Sequence, residues 1–360
     1  MVMRIIGLID RQSGEPSMID LRSDLMSWRP PAVAVAASLA ASRPPAMAPG
    51  EDPYERKLYE VLSDELGVEA VLLMPTCTMA NQIAIRVHLP EGGQLAAAPL
   101  AHILTVEARA TALTRVGACP LPTDEGHPSP AVVDQFLQDR DRNIAALVWL
   151  ENTHMLSAGS VIPVGWQSRI AAACREDGSA LHLDGSRLWN AAAAQGLQMT
   201  DLTQGCDTVS ISLNKAIGAP VGSVLAGSRE AIDAAVRWRQ TLGGEWRPIG
   251  TIAAAAIAAL DDWRVRLETD LAMTASLVRG IANRLGEESV RPAPTNLIFL
   301  NRVGGDAPQF VEVLTRRGVQ TTVVAANIVR LAIHSGVRER EVAKIIEAVT
   351  ATYAELEAAA

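Results

Sequence analysis

Between residues 53 and 67, Leu58, Val61, Leu62 and Leu66 recur at i, i+3, i+4 and i+8, and Gly67 follows directly. That spacing predicts an amphipathic helix closed by a glycine able to take the left-handed C-cap conformation. Beyond it, unbroken apolar runs alternate with helical patterns. Residues 70–73, 145–150, 180–183, 208–213 and 223–226 read as strands, and 78–88, 130–138 and 166–177 as the helices between them. Strands with no polar face need cover on both sides, so the order predicts an α/β architecture around a mostly parallel sheet. After an alanine-rich helix at 249–260 and a mixed-charge stretch to Asp270, strands at 295–300 and 328–333 and helices at 308–317 and 338–358 predict a smaller C-terminal α+β domain. The expected division is an N-terminal extension at 1–18, a large domain at 19–265 and the small domain at 266–360. Met18, just before Ile19-Asp20-Leu21-Arg22, offers an alternative start.

Composition narrows the classes. The chain has 360 residues, 49% of them apolar, so it has ample material for a core. Its formal charge of −8, without a basic block, argues against a phosphate-tracking nucleic-acid binder. The longest apolar stretches, 32–41 and 252–260, fall short of the ~20 residues that span a bilayer, and the first twenty residues lack a signal peptide's apolar core. Four scattered cysteines form no CxxC pair, so neither a disulfide framework nor a metal site is suggested. The expectation is a soluble, cytoplasmic protein with no membrane or nucleic-acid partner.

One count directs the search for chemistry: only three of the 32 basic residues are lysines, namely Lys57, Lys215 and Lys344. Lysine, unlike arginine, can act as a neutral amine nucleophile. Lys57 and Lys344 sit in charged, amphipathic helical patterns that suit solvated surface residues. Lys215 follows the apolar run 208–213 and leads into Gly218-Ala219-Pro220-Val221-Gly222. Ligands of open α/β sheets bind beyond the carboxyl ends of the strands. Asp184, also at a strand end and followed by Gly185-Ser186-Arg187, could keep a pyridine nitrogen protonated, as pyridoxal 5'-phosphate (PLP) requires. Read alone, each has a plain alternative: a lysine paired with a strand-end carboxylate, and an Asp-Gly turn. Pro75-Thr76-Cys77-Thr78 joins a strand to a helix beginning near Thr78. Such a start suits a phosphate, and equally suits ordinary capping by Thr78. His102 and His154 occupy loop positions beside strand ends, where an imidazole could stack on a ring or move a proton near neutral pH.

These segments, taken in order, resemble the threonine aldolase family, the β-eliminating-lyase-like group of fold-type I PLP-dependent enzymes. The similarity runs from Ile19 to the C-terminus. It is carried by Ile19-Asp20-Leu21-Arg22-Ser23-Asp24, Gly50-Glu51-Asp52-Pro53, Thr78-Met79-Ala80-Asn81-Gln82, Ala101-His102-Ile103 and Leu150-Glu151-Asn152-Thr153-His154. Leu181-His182-Leu183-Asp184-Gly185-Ser186-Arg187-Leu188, Lys215 with Gly218-Ala219-Pro220-Val221-Gly222-Ser223, and Leu242-Gly243-Gly244 complete the set. The resemblance implies an aminotransferase-like large domain with a seven-stranded type of sheet and PLP as cofactor. It also implies a homodimer or homotetramer with active sites at the subunit interface. Lys215 would be the Schiff-base lysine, Asp184 the partner of the pyridine nitrogen and His102 the stacking residue. Cys77 and Thr78 would lie against the phosphate, with Arg247 reaching a phosphate of the partner subunit. Arg187, Arg330 and Ser23 would hold the substrate carboxylate, and His154 would handle the β-hydroxyl proton. The implied reaction is cleavage of the Cα–Cβ bond of a β-hydroxy-α-amino acid of the L-threonine or L-allo-threonine type to glycine and an aldehyde. β-Elimination, racemisation and transamination are the alternatives on the same cofactor.

The chain departs from the family pattern at Leu25-Met26-Ser27, Pro49, Thr76-Cys77-Thr78, Asn214 and Glu245-Trp246. These changes gather where the resemblance places the substrate side chain and the phosphate, which predicts altered side-chain specificity.

Overall fold

The computed structural model describes residues 18–359 apart from 28, 47, 49 and 302–305. Residues 1–17 of the expected extension and the departure at Pro49 lie outside the described residues. Two compact units emerge: Ser27–Glu268 form one, and Thr269–Ala360 with the segment ending at Met26 form the other.

The first described element, β1 (Ile19–Asp20), belongs to the second unit rather than to the large one. It pairs in parallel with a strand near the other end of the sequence, Ile19 N–H donating to the Gly318 carbonyl at 2.9 Å and Leu21 N–H to that of Gln320 at 2.8 Å. Ile19 and Leu21 point the same way from this extended segment, as alternate residues must, and both are buried in that unit's core.

In the large unit, β2 (Ala70–Met74), β3 (Gln94–Ala97), β4 (Gly117–Pro120), β5 (Ala146–Glu151), β6 (Ala180–Gly185), β7 (Thr208–Ser212) and β8 (Ser223–Gly227) form one seven-stranded sheet in the order β2-β8-β7-β6-β5-β3-β4. All pairings are parallel except those of β8, which runs antiparallel to both β2 and β7. Val148, Leu150, Leu181, Leu183, Val209 and Ile211 enter one core cluster, while Leu147, Trp149 and Leu225 enter another. Alternate residues of each strand are thus buried on opposite faces, which explains why the strands read as unbroken apolar runs. β3 and β4 escape that reading because they are four residues each and built largely of glycine, alanine and proline, poor strand formers.

The predicted helix appears as Pro53–Leu66. Asp52 caps it, its Oδ1 accepting from Tyr54 N–H at 2.8 Å, and Gly67 ends it at φ 62°. The next helix, Cys77–His88, begins one residue earlier than the pattern indicated. Thr76 is extended, and its hydroxyl accepts from Met79 N–H at 3.0 Å, so Thr76 and not Thr78 is the cap. The apolar run at 32–41 is a helix, Pro31–Ala41, with proline at its first position, where the missing N–H costs nothing.

In the smaller unit, β9 (Leu297–Asn301), β11 (Thr322–Ala325) and β12 (Ile328–Ala332) form an antiparallel sheet in the order β11-β12-β9, and β10 (Val319–Gln320) is the partner of β1. Helix Ala307–Arg316 brings Phe310 and Leu314 to a core shared with Ile298, Leu331 and Val349. Among the described residues, no helix is long and apolar enough to cross a membrane.

Candidate active site

Three neighbouring strands carry polar residues in register toward their carboxyl ends. The sheet register pairs Glu151 of β5 with Asp184 of β6, and Asp184 with Ser210 of β7. All three side chains are buried, and buried polar groups must find partners. Helix Cys77–His88 supplies one. Asn81 donates from Nδ2 to Asp184 Oδ2 at 2.8 Å and to Glu107 Oε1 at 2.9 Å, and its Oδ1 accepts from Ser210 Oγ at 2.6 Å. Two strand positions away, Thr208 Oγ1 lies 2.8 Å from both His182 Nδ1 and His88 Nε2, so the same helix meets the second polar position at its far end.

Around this stripe the charges are dense. Asp184 also accepts from Ser186 N–H at Oδ1, 3.0 Å. Its carboxyl is pushed up to about 6, first by burial and then by the Glu151 charge, against the opposing pull of His102 and Lys215. Burial likewise raises Glu151, although two backbone donors, Met155 N–H at 2.8 Å and His102 N–H at 2.7 Å, favour its charge. Glu107 is held below the usual carboxylate range. Burial opposes ionisation there, but the His102 bond and the Asn81 and Gln82 amides outweigh it. His102 Nδ1 lies 2.8 Å from Glu107 Oε1. Burial alone would lower this imidazole, and the surrounding carboxylates raise it instead. Ligand-type atoms of His102, Glu107 and Asp184 fall within 4.8 Å of one another, a spacing that a metal set could share and that the sequence does not reveal. Asn81 and His102 account for the oxygens concerned as a hydrogen-bonded group.

Lys215 stands three residues beyond the end of β7, where the chain turns through Gly218 at φ 79°. Its Nζ donates to the hydroxyl of Ser186, which follows Asp184 by two residues, so the amine and the buried acid lie at adjacent strand ends. Cys77 and Thr78 occupy the first turn of helix Cys77–His88, half-buried. The Cys77 thiol is pushed up to about 11, by burial and then by the Asp184 charge, with Lys215 pulling the other way. Arg187 is 4% exposed just after β6, and its charge acts on Glu151.

His154 is fully enclosed. It lies behind Glu151, Nε2 to Oε2 4.0 Å, and against the edge of His127, with ring centroids 5.9 Å apart. Burial brings its pKa to about 4, so the ring is neutral. Gly126 closes over it; a Cβ there would lie 2.5 Å from the imidazole. Arg247 is largely exposed, pairs with Glu245 at 3.2 Å, and shares a small cavity with Asp52, Glu55, Arg239 and Trp246. Ser23 and Arg330 belong to the smaller unit. There Arg330 donates to the carbonyl of Arg22 at 2.8 Å, and Ser23 Oγ accepts from Leu25 N–H at 3.2 Å.

Asn81, Glu107, Glu151, Ser186 and Ser210 were not singled out as site residues in the sequence. The available signal was polarity at alternate positions of apolar strands, His182 with Asp184 and Thr208 with Ser210.

Residues 20–302 match the family model described as Beta-eliminating lyase. The low specificity L-threonine aldolase of Escherichia coli (strain K12) is 34% identical over 335 residues, covering 91% of this chain and 97% of that protein. The Leishmania major threonine aldolase structure matches with a TM-score of 0.81 at 21% identity, over 93% of this chain and 99% of that one. A structure of SPT with PLP matches with a TM-score of 0.76 at 16% identity, over 94% and 88%. The two structural likenesses speak to the fold, the fold-type I arrangement of PLP-dependent enzymes.

Proposed function

Because the chain belongs to the β-eliminating lyase family, we propose that it is a PLP-dependent carbon–carbon lyase, cleaving β-hydroxy-α-amino acids of the L-threonine or L-allo-threonine type to glycine and an aldehyde. The observation that carries this reading is the pairing of a buried acid with an amine at adjacent strand ends. Asp184, 1% exposed, accepts one bond at each oxygen. A carboxylate offers about four acceptor sites, so it has capacity for one more donor. A protonated pyridine nitrogen is such a donor, and its charge would relieve the burial that raises Asp184. The donor set therefore fits the cofactor.

PLP, when bound, supplies the electron sink for the pair released as the Cα–Cβ bond breaks. Lys215 would contribute the amine that holds the cofactor's carbonyl carbon. Asp184 would keep the ring nitrogen protonated. Cys77 and Thr78, at a helix start, would hold the phosphate, where the helix dipole favours a dianion. His102 would lie against the ring, its partly open imidazole available to exchange a proton. His154, neutral and enclosed, is available as a base only through an intermediary, Glu151 being the group beside it. Carboxylate binding by Arg187, Arg330 and Ser23, and a phosphate contact by Arg247, belong to the same proposal. So do a homodimer or homotetramer with sites at the subunit interface, and a cytoplasmic location. Val35, Leu39, Leu100 and Val106 are exposed apolar residues that would be covered by such an association.

The test is a PLP titration of the full chain beside Lys215→Ala, with borohydride fixation and peptide mapping. Aldehyde release from threonine, allo-threonine and bulkier β-hydroxy amino acids is measured in parallel. Cofactor fixed on Lys215 together with aldehyde release supports the proposal. Failure of wild type to retain PLP sinks it, and a clear preference for threonine removes the expectation of altered side-chain specificity.

A further inference from the structure

We propose that Glu107 is the positioning residue of His102, fixing the imidazole with its Nδ1 proton bonded to Oε1 and leaving Nε2 as the nitrogen that exchanges protons in the site. This inference rests on the lyase reading only for what His102 then does; the pairing itself stands on the geometry of the chain.

Glu107 is a carboxylate with 2% of its side chain exposed, and among the described residues its one ion-pair partner is His102. A buried charge without compensation is expensive, so this carboxylate and this imidazole secure each other. Its remaining capacity is taken by amides: Asn81 Nδ2 shares Oε1 at 2.9 Å, and Gln82 Nε2 reaches Oε2 at 3.3 Å. Gln82 is itself tied to Thr111 Oγ1 at 3.2 Å. Both amides come from one helix, so the carboxylate is held from the side away from the imidazole's own loop. The backbone N–H of His102 donates to Glu151 Oε2, which anchors the residue at its other end. Held at both ends, the imidazole keeps 27% of its side chain open. A carboxylate on one ring nitrogen sets the tautomer and raises the basicity of the other. The charges facing His102 are Glu107 on its own loop, Glu151 on β5 and Asp184 on β6; Lys215 and Arg187 act on the last two from beyond the strand ends. Three carboxylates against one imidazole favour its cation, and Glu107 is the one bonded to the ring.

The test is imidazole NMR on the full-length chain, with and without PLP, assigning His102 among the six histidines through His102→Asn. In wild type we expect an Nδ1-bonded ring that titrates above the ordinary histidine value. Glu107→Gln keeps the shape and removes the charge. It should lower the proton affinity of His102 about tenfold or more, leave the other five histidines unmoved, and shift the pH profile of kcat/KM the same way. Glu107→Asp should restore part of the shift. An unchanged His102 titration in Glu107→Gln, or a wild-type ring protonated only at Nε2, overturns the proposal. The wild-type tautomer needs no variant, so a Glu107→Gln chain that fails to fold still leaves a deciding measurement. If the pairing behaves as expected in a chain that releases no aldehyde, the lyase reading falls and the pairing stands.

Discussion

Replacing Asp184 with asparagine separates the cost of the site from its use. The carboxyl is 1% exposed, and burial, followed by the Glu151 charge, moves it from 3.8 to about 6. A folded pKa above the unfolded one means that the native chain binds the proton more tightly. The stability this group allows is therefore greatest below 3.8 and falls as pH rises through about 6. At about 1.4 kcal/mol per pKa unit, the ionised group costs about 3 kcal/mol at neutral pH. Asparagine keeps the shape without the charge, but its single oxygen can meet only one of the two donors, Asn81 Nδ2 and Ser186 N–H. The lost bond costs ~1–2 kcal/mol. Asp184→Asn should thus stabilise the PLP-free chain by ~1–2 kcal/mol at neutral pH, roughly 2–8 °C in Tm for a unit of this size. At a pH of about 4, where the carboxyl is protonated, the gain should vanish or reverse. The same variant should bind PLP more than about tenfold more weakly, having lost the group proposed to keep the ring nitrogen protonated. Calorimetric melts of PLP-free wild type and variant at both pH values, with a PLP titration, decide the matter. A variant that melts below wild type at neutral pH with the same pH slope refutes the reasoning.

Three further outcomes follow from the same stripe. Asn81→Ala and Ser210→Ala should each destabilise the chain in urea unfolding. Their double-mutant cycle should show coupling of about 1 kcal/mol, the net value of one buried hydrogen bond, and zero coupling would remove the Ser210–Asn81 bond from the account. Thr208→Val, nearly isosteric, strips the hydroxyl 2.8 Å from both His88 Nε2 and His182 Nδ1. It should cost ~2–4 kcal/mol because two ring nitrogens lose a partner, and PLP affinity measured alongside should not change. Cys77, with its thiol pushed up to about 11, should alkylate roughly a hundredfold more slowly with iodoacetamide at mildly alkaline pH than a free cysteine, since only the thiolate reacts. Labelling at the rate of a small-molecule thiol, mapped by peptide mass, would show that the thiol is not held as described.

What was legible in the sequence and what was not follows from the same physics. Helix Pro53–Leu66 was readable because its core stripe, its cap and its closing glycine are all local. Strands β5, β6 and β7 were readable because burial on both faces leaves long apolar runs. Lys215 and Asp184 could be chosen because a strand end is a place that sequence can mark. β3 and β4 could not be read, since four-residue strands of small residues are identified by their neighbours rather than by their own composition. The enclosure of His154 was equally hidden, because the residue that closes over it, Gly126, comes from a turn distant in the chain. The group around Asp184 was hidden for a deeper reason. Glu151, Asp184 and Ser210 lie far apart in sequence and become neighbours only through strand register, which no spacing records. Polar residues at alternate positions of a buried strand would be costly unless some element laid donors and acceptors across that face. Helix Cys77–His88 does so twice, with Asn81 over Asp184 and Ser210 and with His88 over Thr208. Its first turn carries Cys77 and Thr78, the proposed phosphate contacts. The helix that satisfies the buried stripe is therefore also the one that offers an anion its N-terminus, so a single packing arrangement fixes the distance between the proposed phosphate contacts and Asp184.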